Sequence, residues 1–511
     1  MSPLPPPAVP PASRRAAERL ALAAILAGAA GVRRWRLDLM EFKGDEAQAC
    51  RLAVQVVDVL KGHAVPGEHL PLVGLMASVG VPNPPLFVYL LAVPLVFFAT
   101  PLAAAAMIAL SNVGAVWLCA VIGRRYFSPR VGLVAAGLYA LAPWAVIFSR
   151  KIWAQDLLPV FVGAFLLAAH AFLVDRRPRA LLWLFLLAAA AVQLHFSALV
   201  LGGILAGLLV AGRAQVRARW LGWGTGLGLL LYAPYFAHIL RSHGSDFAHL
   251  DSRRELWDRL VPAGQRLLLA WRYPFSVSGA DGTAELIGAQ AGWVWPFALL
   301  TGLGALAGLL WLCWRDRATP AFAARVMLAA WWFLPTAALA VTGVVPFIHY
   351  FIILYPVVFL GLAAAIEALG RRSRMIPWAL LAVCLGGYAC LDAAIFSVVA
   401  DRGGAPGEYG VAYAHKAAAM AFVVAENGGR LPVLYDGAHP RLPVDPEYRW
   451  LMERAARAQA GSAGADAPAR GFVLLDLSRS ALTAAGEAAT RSLPRRQFGP
   501  LAVFALPPAP R

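Results

Sequence analysis

The stretch "PLAAAAMIALSNVGAVWLCAVIGRRYFSPR", Pro101 to Arg130, decides the fold class. Residues 101–122 carry no formal charge over a length that lets an α-helix cross a bilayer, and the run stops at the basic cluster "GRRYFSPR". The same pattern recurs. Apolar runs lie near 17–32, 131–149, 156–174, 181–193, 196–212, 219–240, 293–314, 324–344, 350–369 and 376–398. Of 511 residues, 60% are hydrophobic and 14% charged, with seventeen Trp, more apolar surface than a soluble domain can hide. The chain reads as an all-α polytopic membrane bundle, with about eleven transmembrane helices in a range of roughly 10–13.

Charge sets the expected topology. The clusters "GRRYFSPR", "DRRPR", "RAQVRARW", "RDRATPAFAAR" and "GRRSR" fall between apolar runs. The positive-inside rule places all of them in the cytoplasm with the N-terminal tail. The net charge of +17 is therefore topology information and predicts no nucleic-acid partner. Residues 1–16, Pro-rich with Arg14 and Arg15, read as a disordered cytoplasmic tail. A cleaved signal peptide at 17–32 is set aside, because the further spans make cleavage unnecessary. Parity makes 180–212 two short helices meeting near His195. It also makes "PPLFVYLLAVPLVFFATP", bracketed by prolines, a re-entrant or interfacial helix. Large outer segments remain at 33–83, 241–292 and 399–511, and Arg33, Arg34 and Arg36 then lie outside, against the rule. The abundance of Ala and Arg suggests a GC-rich bacterial genome. That would make the membrane the bacterial inner membrane and the outer face periplasmic.

Domain organisation follows: tail 1–16, membrane domain 17–398, and a third part, 399–511, of different character. There "LPVLYDG", "GFVLLDL" and "LAVFAL" read as strands, "DPEYRWLMERAARAQA" as a helix and "GSAGADAPAR" as a flexible loop, giving a small extracytoplasmic α/β domain. Of the five cysteines four lie in apolar spans and none forms CxxC, so neither a disulfide framework nor a zinc site is expected.

Candidate chemistry gathers on the outer side. In "EFKGDEAQACRLAVQVVDVLKG", Glu41 to Gly62, apolar residues at helical spacing predict an amphipathic helix lying along the outer membrane surface. Asp45 at its start, with Gln48 three positions on, suits a capping box, and a capping carboxylate is held rigid and ionised. Glu46 adjoins it and Lys43 precedes it. The next outer turn, "FSRKIWAQDLLPVF", offers Arg150, Lys151 and Asp156. A snorkelling basic pair and an aspartate N-cap explain these residues equally well, yet an acid heading an apolar span tends to face a cavity. "VQLHFSAL" places His195 at a hairpin turn, and "VPFIHYFIILYP" opens a span with His349 and Tyr350, the latter suited to an aromatic belt. "LAWRYPFSVSG" puts Arg272 in the long outer loop. No phosphate loop, dinucleotide fingerprint, HExxH or nucleophile elbow accompanies them.

Taken in order, "KGDEA", "NPPLFVYLL", "GRRYF", "ALAPWAVIFSRKIWAQDLLPVFVGAF" and "HYFIILYPVVFLGLAAAIEAL" resemble the C-fold (GT-C) glycosyltransferases over residues 17–398. The branch resembled contains the protein O-mannosyltransferases and the lipid A aminoarabinose transferase. The resemblance implies transfer of a sugar from a polyprenyl-phosphate donor to a hydroxyl of a lipid, glycan or protein acceptor on the outer face, with inversion. It implies Asp45, with Glu46, as the catalytic acid of the first outer loop, and Asp156 as the acid of the second. Where His349 stands the family often has Arg, and where His195 stands relatives often carry Lys or another polar residue. Lys43, Arg150, Lys151, His195, Arg272, His349 and Tyr350 are the expected substrate-binding groups. No cofactor is required. A divalent metal between Asp45 and Asp156, with His195, is compatible with the set.

Other classes predict other patterns. A transporter or flippase of lipid-linked saccharides would show two-fold internal repetition, which the sequence lacks. A lipid-linked glycan polymerase or ligase would lean on Arg and His in one large late outer loop, whereas here the acid-rich loop comes first. A purely structural protein would not keep acids at membrane depth.

Overall fold

The computed structural model describes residues 12–248, 261–279, 283–287, 292–371, 373–405, 409–436, 444–459, 471–477 and 493–506. Residues 1–11 and the loop 461–470 lie outside them, as does the middle of the long outer segment 241–292. Among the described residues, length and composition qualify six helices to cross a membrane: Pro101–Tyr126, Ala154–Leu173, Val294–Arg315, Phe322–Thr342, Ile348–Leu369 and Ile376–Arg402. Shorter apolar helices are Leu86–Phe97, Pro129–Leu141, Ala180–Leu194 and Phe196–Ala211. The chain is a polytopic, mostly helical membrane protein.

Several expectations change in detail. The first helix, Ala12–Arg34, begins inside the segment expected to be disordered, with Arg14 paired to Glu18 one turn on at 3.4 Å. The run 131–149 breaks at Ala142, because Pro143 has no N–H to continue the helix Pro129–Leu141, and a short helix Pro143–Phe148 follows. The run 219–240 likewise divides into Ala218–Leu231 and Ala233–Ser242, with Pro234 in the first turn of the second. The hairpin 180–212 does turn at His195, whose backbone is extended between its two helices. Leu86–Phe97 has twelve residues, about 18 Å of helix at 1.5 Å each, too short to span.

Of the three arginines set against the positive-inside rule, Arg33 caps a helix end and Arg36 pairs with Asp38. Arg33 is fully buried and donates to the carbonyls of Ala140, at 2.8 Å, and Tyr139, at 3.4 Å, which the break before Pro143 leaves without helical partners. Arg150 returns the arrangement at the end of the first helix, donating to the carbonyls of Val32, Trp35 and Arg36 at 2.6–3.2 Å.

Ile348–Leu369 is the central helix, buried along most of its length. It meets Val294–Arg315 where a Cβ on Gly308 would overlap the carbonyl oxygen of Gly361, and a Cβ on Gly361 that of Ala305. Gly123 and Gly132 bring Pro101–Tyr126 and Pro129–Leu141 together in the same way. Within lipid, where apolar burial drives little association, such backbone approaches supply the packing.

The C-terminal part carries a four-stranded mixed sheet, ordered 433–436, 471–476, 501–505, 495–498, its first pair parallel and the others antiparallel. Helices Tyr413–Glu426 and Pro446–Gln459 pack on each other. Three strands and the second helix match the expected ones. The strand Arg495–Phe498 and the first helix were not foreseen.

Gly308→Ala is expected to lower stability by about 1–3 kcal/mol through overpacking. Gly114→Ala, where nothing lies within 4 Å, should leave it unchanged or higher. Thermal unfolding of the two variants in one detergent reads the difference. Equal shifts would refute the close glycine crossing.

Candidate active site

The segment entering the first loop is extended, so alternate residues share one side. Glu41 and Lys43 do so, and their side chains form an ion pair. Glu41 is 4% exposed and pairs through its other oxygen with Lys151 of the second loop, at 2.7 Å. The helix then starts at Gly44 with Lys43 as N-cap, and Glu46, at its third position, accepts from the Lys43 N–H at 2.9 Å. Asp45 is therefore not the capping residue expected. It is exposed and lines a cavity. Nor does the helix Gly44–Leu60 rest its apolar face on the membrane surface. Ala49, Ala53 and Val56 are buried, and protein covers the helix, from Leu86–Phe97 on one side and Pro446–Gln459 on another.

The second loop is held as tightly. Lys151 is 5% exposed, with Nζ 3.3 Å from the Trp153 ring centroid besides its pair with Glu41. Asp156 is 1% exposed and sits in the turn Ala154–Leu157, not at the N-cap of Leu158–Leu173, which is Leu157. Asn112 fixes its backbone carbonyl at 2.8 Å, and among the described residues neither carboxylate oxygen meets a hydrogen-bond donor. Asp156 stands behind the cavity wall, whereas its neighbours Trp153 and Gln155 line it.

The cavity has a volume of about 410 Å³. Its walls come from the loop 74–84, through Ser78 and Asn83, from the second loop, from the hairpin residue His195, and from Phe347, His349 and Tyr350. His349 stands edge-on to Trp153 at 5.0 Å and to Tyr350 at 4.7 Å, and His195 lies tilted to Tyr350 at 5.1 Å. The Tyr350 hydroxyl and Ser78 Oγ are 2.5 Å apart, so Tyr350 belongs to the wall rather than to a membrane belt. Two expected groups lie elsewhere: Arg150 caps the first helix beside Phe396, and Arg272 lies over Trp295. Among the described lining residues Asp45 is the one carboxylate, and no lysine or arginine joins it.

Glu41, which sequence reasoning missed, joins the two loops; its signal was its place two residues before Lys43 in an extended segment. With Glu46 and Asp156 it forms a group of acids within electrostatic reach of Lys151. Burial first, then the neighbouring Glu41, pushes Glu46 up to about 7, and Lys151 offsets part of this. Among the described residues no three His, Cys, Asp or Glu side chains converge on one point where a metal ion could sit.

No protein-family model and no curated protein matches the sequence. Solved structures do. ArnT from Cupriavidus metallidurans bound to undecaprenyl phosphate has a TM-score of 0.55 at 13% identity, over 97% of this chain and 98% of that one. Its apo state also scores 0.55, at 12% identity and the same coverage. The archaeal oligosaccharyltransferase AglB from Archaeoglobus fulgidus, in complex with an inhibitory peptide and a dolichol-phosphate, scores 0.50 at 14% identity, over 96% of this chain and 74% of that one. These similar structures are glycosyltransferases of the GT-C fold, and that is the fold of this chain.

Proposed function

We propose that the protein is a membrane glycosyltransferase that moves a sugar from a polyprenyl-phosphate donor to an acceptor hydroxyl on the extracytoplasmic face, with inversion. The observation that carries the reading is Asp45, an exposed carboxylate on a cavity walled by aromatic rings. Outside the cytoplasm there is no nucleotide-sugar pool, so a donor must arrive on lipid. The similar structures hold undecaprenyl phosphate and a dolichol-phosphate, which favours such a carrier.

In this mechanism Asp45 removes the proton of the acceptor hydroxyl while its oxygen attacks the anomeric carbon. The bond from that carbon to the donor phosphate breaks, and polyprenyl phosphate leaves as a dianion. Asp45 suits the task because its helix start is capped, the Glu46 carboxylate holding the Lys43 N–H, and because a helix N-terminus favours negative charge. The leaving phosphate needs a cation. None of Lys43, Arg150, Lys151 and Arg272 lines the cavity, but Lys151 lies against the lining Trp153 and Lys43 stands two residues before Asp45, so the role falls to this pair, both ion-paired to Glu41. Asp156, buried behind the wall, acts through Lys151 rather than on substrate. Rings at His349, Trp153 and Phe347 present flat faces on which a sugar packs.

The experiment that tests this reading is Asp45→Asn, which should cut transfer by about 10²–10⁴-fold, the usual contribution of a general base. Expression and undecaprenyl phosphate binding should be unchanged. Surface-glycan analysis in a deletion strain carrying each version measures transfer, and wild-type glycan from the variant would move the base elsewhere.

Glu46 gives a second test, in stability. Its proton is held more tightly in the fold, to about 7 from 4.5, so the unfolded chain loses the proton first as pH rises. The stabilisation is complete below 4.5, declines across the window from 4.5 to 7 and is gone above it. Glu46→Gln keeps an acceptor for the Lys43 N–H and should remove this part of the decline. Unfolding midpoints of both proteins across that window decide it, and parallel profiles would contradict the assignment.

A further inference from the structure

The C-terminal domain touches the first loop at the residues that lead into Asp45. The Tyr409 hydroxyl donates to the Leu39 carbonyl. The Tyr413 N–H donates to the Met40 carbonyl at 2.9 Å, and Ala412 forms an antiparallel bridge with Glu41. Lys416 Nζ donates to the Phe42 carbonyl at 2.8 Å. The Phe42 ring is held between Tyr413, at 5.3 Å, and Trp450, at 5.7 Å. Each residue from Leu39 to Phe42 is thus gripped from one side by a domain more than 360 positions away in sequence.

Lys416 is the unusual member. It is 4% exposed, and its ammonium is shared between the Phe42 carbonyl and Glu447 Oε1, 2.7 Å away, with Glu447 itself 3% exposed. Burying an ion pair costs desolvation that an apolar pair of similar volume avoids, so stability alone gives no reason to keep it. What a lysine adds is a directed donor on one chosen carbonyl. That carbonyl belongs to the residue before Lys43, the N-cap from which the helix of Asp45 begins.

We propose that Lys416, anchored by Glu447, is a positioning residue that sets the Asp45 carboxylate against the cavity, and that this is the part the C-terminal domain plays in the reaction. The inference rests on the reading of Asp45 as the base. Its expected size follows from geometry, since a displacement of about 1 Å at a reacting group costs roughly 10²-fold in rate.

The test uses the full chain in lipid nanodiscs and in a deletion strain, with wild type, Lys416→Met, Lys416→Arg, Glu447→Gln and Asp45→Asn. Three readouts are taken: hydrogen exchange, the Kd for undecaprenyl phosphate, and surface-glycan transfer at matched protein level. Lys416→Met should lower transfer about 10²-fold, raise exchange at residues 40–46 alone and leave the Kd unchanged. Lys416→Arg should recover transfer and protection together. Wild-type transfer in Lys416→Met overturns the proposal, and so does a loss of transfer that comes with raised exchange throughout the bundle. If Lys416→Met does not accumulate, Glu447→Gln decides. That variant leaves Lys416 without its anchor, and undiminished transfer in it overturns the proposal. Failure of the underlying reading looks different: Asp45→Asn would transfer normally, or the wild type would not bind undecaprenyl phosphate.

Discussion

The structure depends on one buried carboxylate. Glu41 sits between Lys43 on its own loop and Lys151 on the next; Glu41 and Lys151 are buried, and Lys43 keeps its edge to solvent. Removing Lys151 would strand the Glu41 charge in a low-dielectric interior, at a cost of about 3–5 kcal/mol for a broken buried pair. The two loops that wall the cavity are therefore tied to each other through Glu41. A net positive charge remains on the trio, next to Trp153 on the cavity side and Glu46 and Asp156 on the protein side.

That arrangement divides the labour among acids that look interchangeable in the sequence. Asp45 and Glu46 are adjacent, yet a helix turns neighbours about 100° apart, so one faces the cavity and the other is enclosed. Burial beside Glu41 favours a protonated Glu46, while Asp45 stays exposed at the start of the same helix. An exposed carboxylate and an enclosed acid thus lie side by side because of the way one helix begins. Asp156 belongs to the second kind, enclosed behind the residues that reach the cavity.

What could be read from the chain follows from where the physics is local. Hydropathy announced the membrane class, and the hairpin at His195 followed from charge parity. The non-spanning Leu86–Phe97 followed from its flanking prolines. The strands 433–436, 471–476 and 501–505 carry apolar runs of strand length. Arg495–Phe498, "RRQF", carries no such pattern and is a strand because its neighbour pairs with it. Arg33, one of the three arginines set against the positive-inside rule, and Arg150 both have a local role that charge counting does not reveal. Each caps the helix to which the other's loop connects, so their charges answer orphaned carbonyls rather than the membrane potential. Glu41 escaped notice because its meaning depends on Lys151, and nothing local announces a partner 110 residues away.

The same reasoning accounts for the domain beyond the bundle. An outer loop anchored at one end by a membrane helix would leave its middle mobile, and a base on it would spend much of its time misplaced. The ion pairs to Lys151 fix the loop from the bundle side, and Tyr409, Tyr413 and Lys416 fix it from the other. Between them the backbone from Leu39 to Phe42 has no freedom left to average over. The rotation of the helix that follows, and with it the direction of Asp45, is then set before any substrate arrives, which is the condition under which a single carboxylate contributes most to rate.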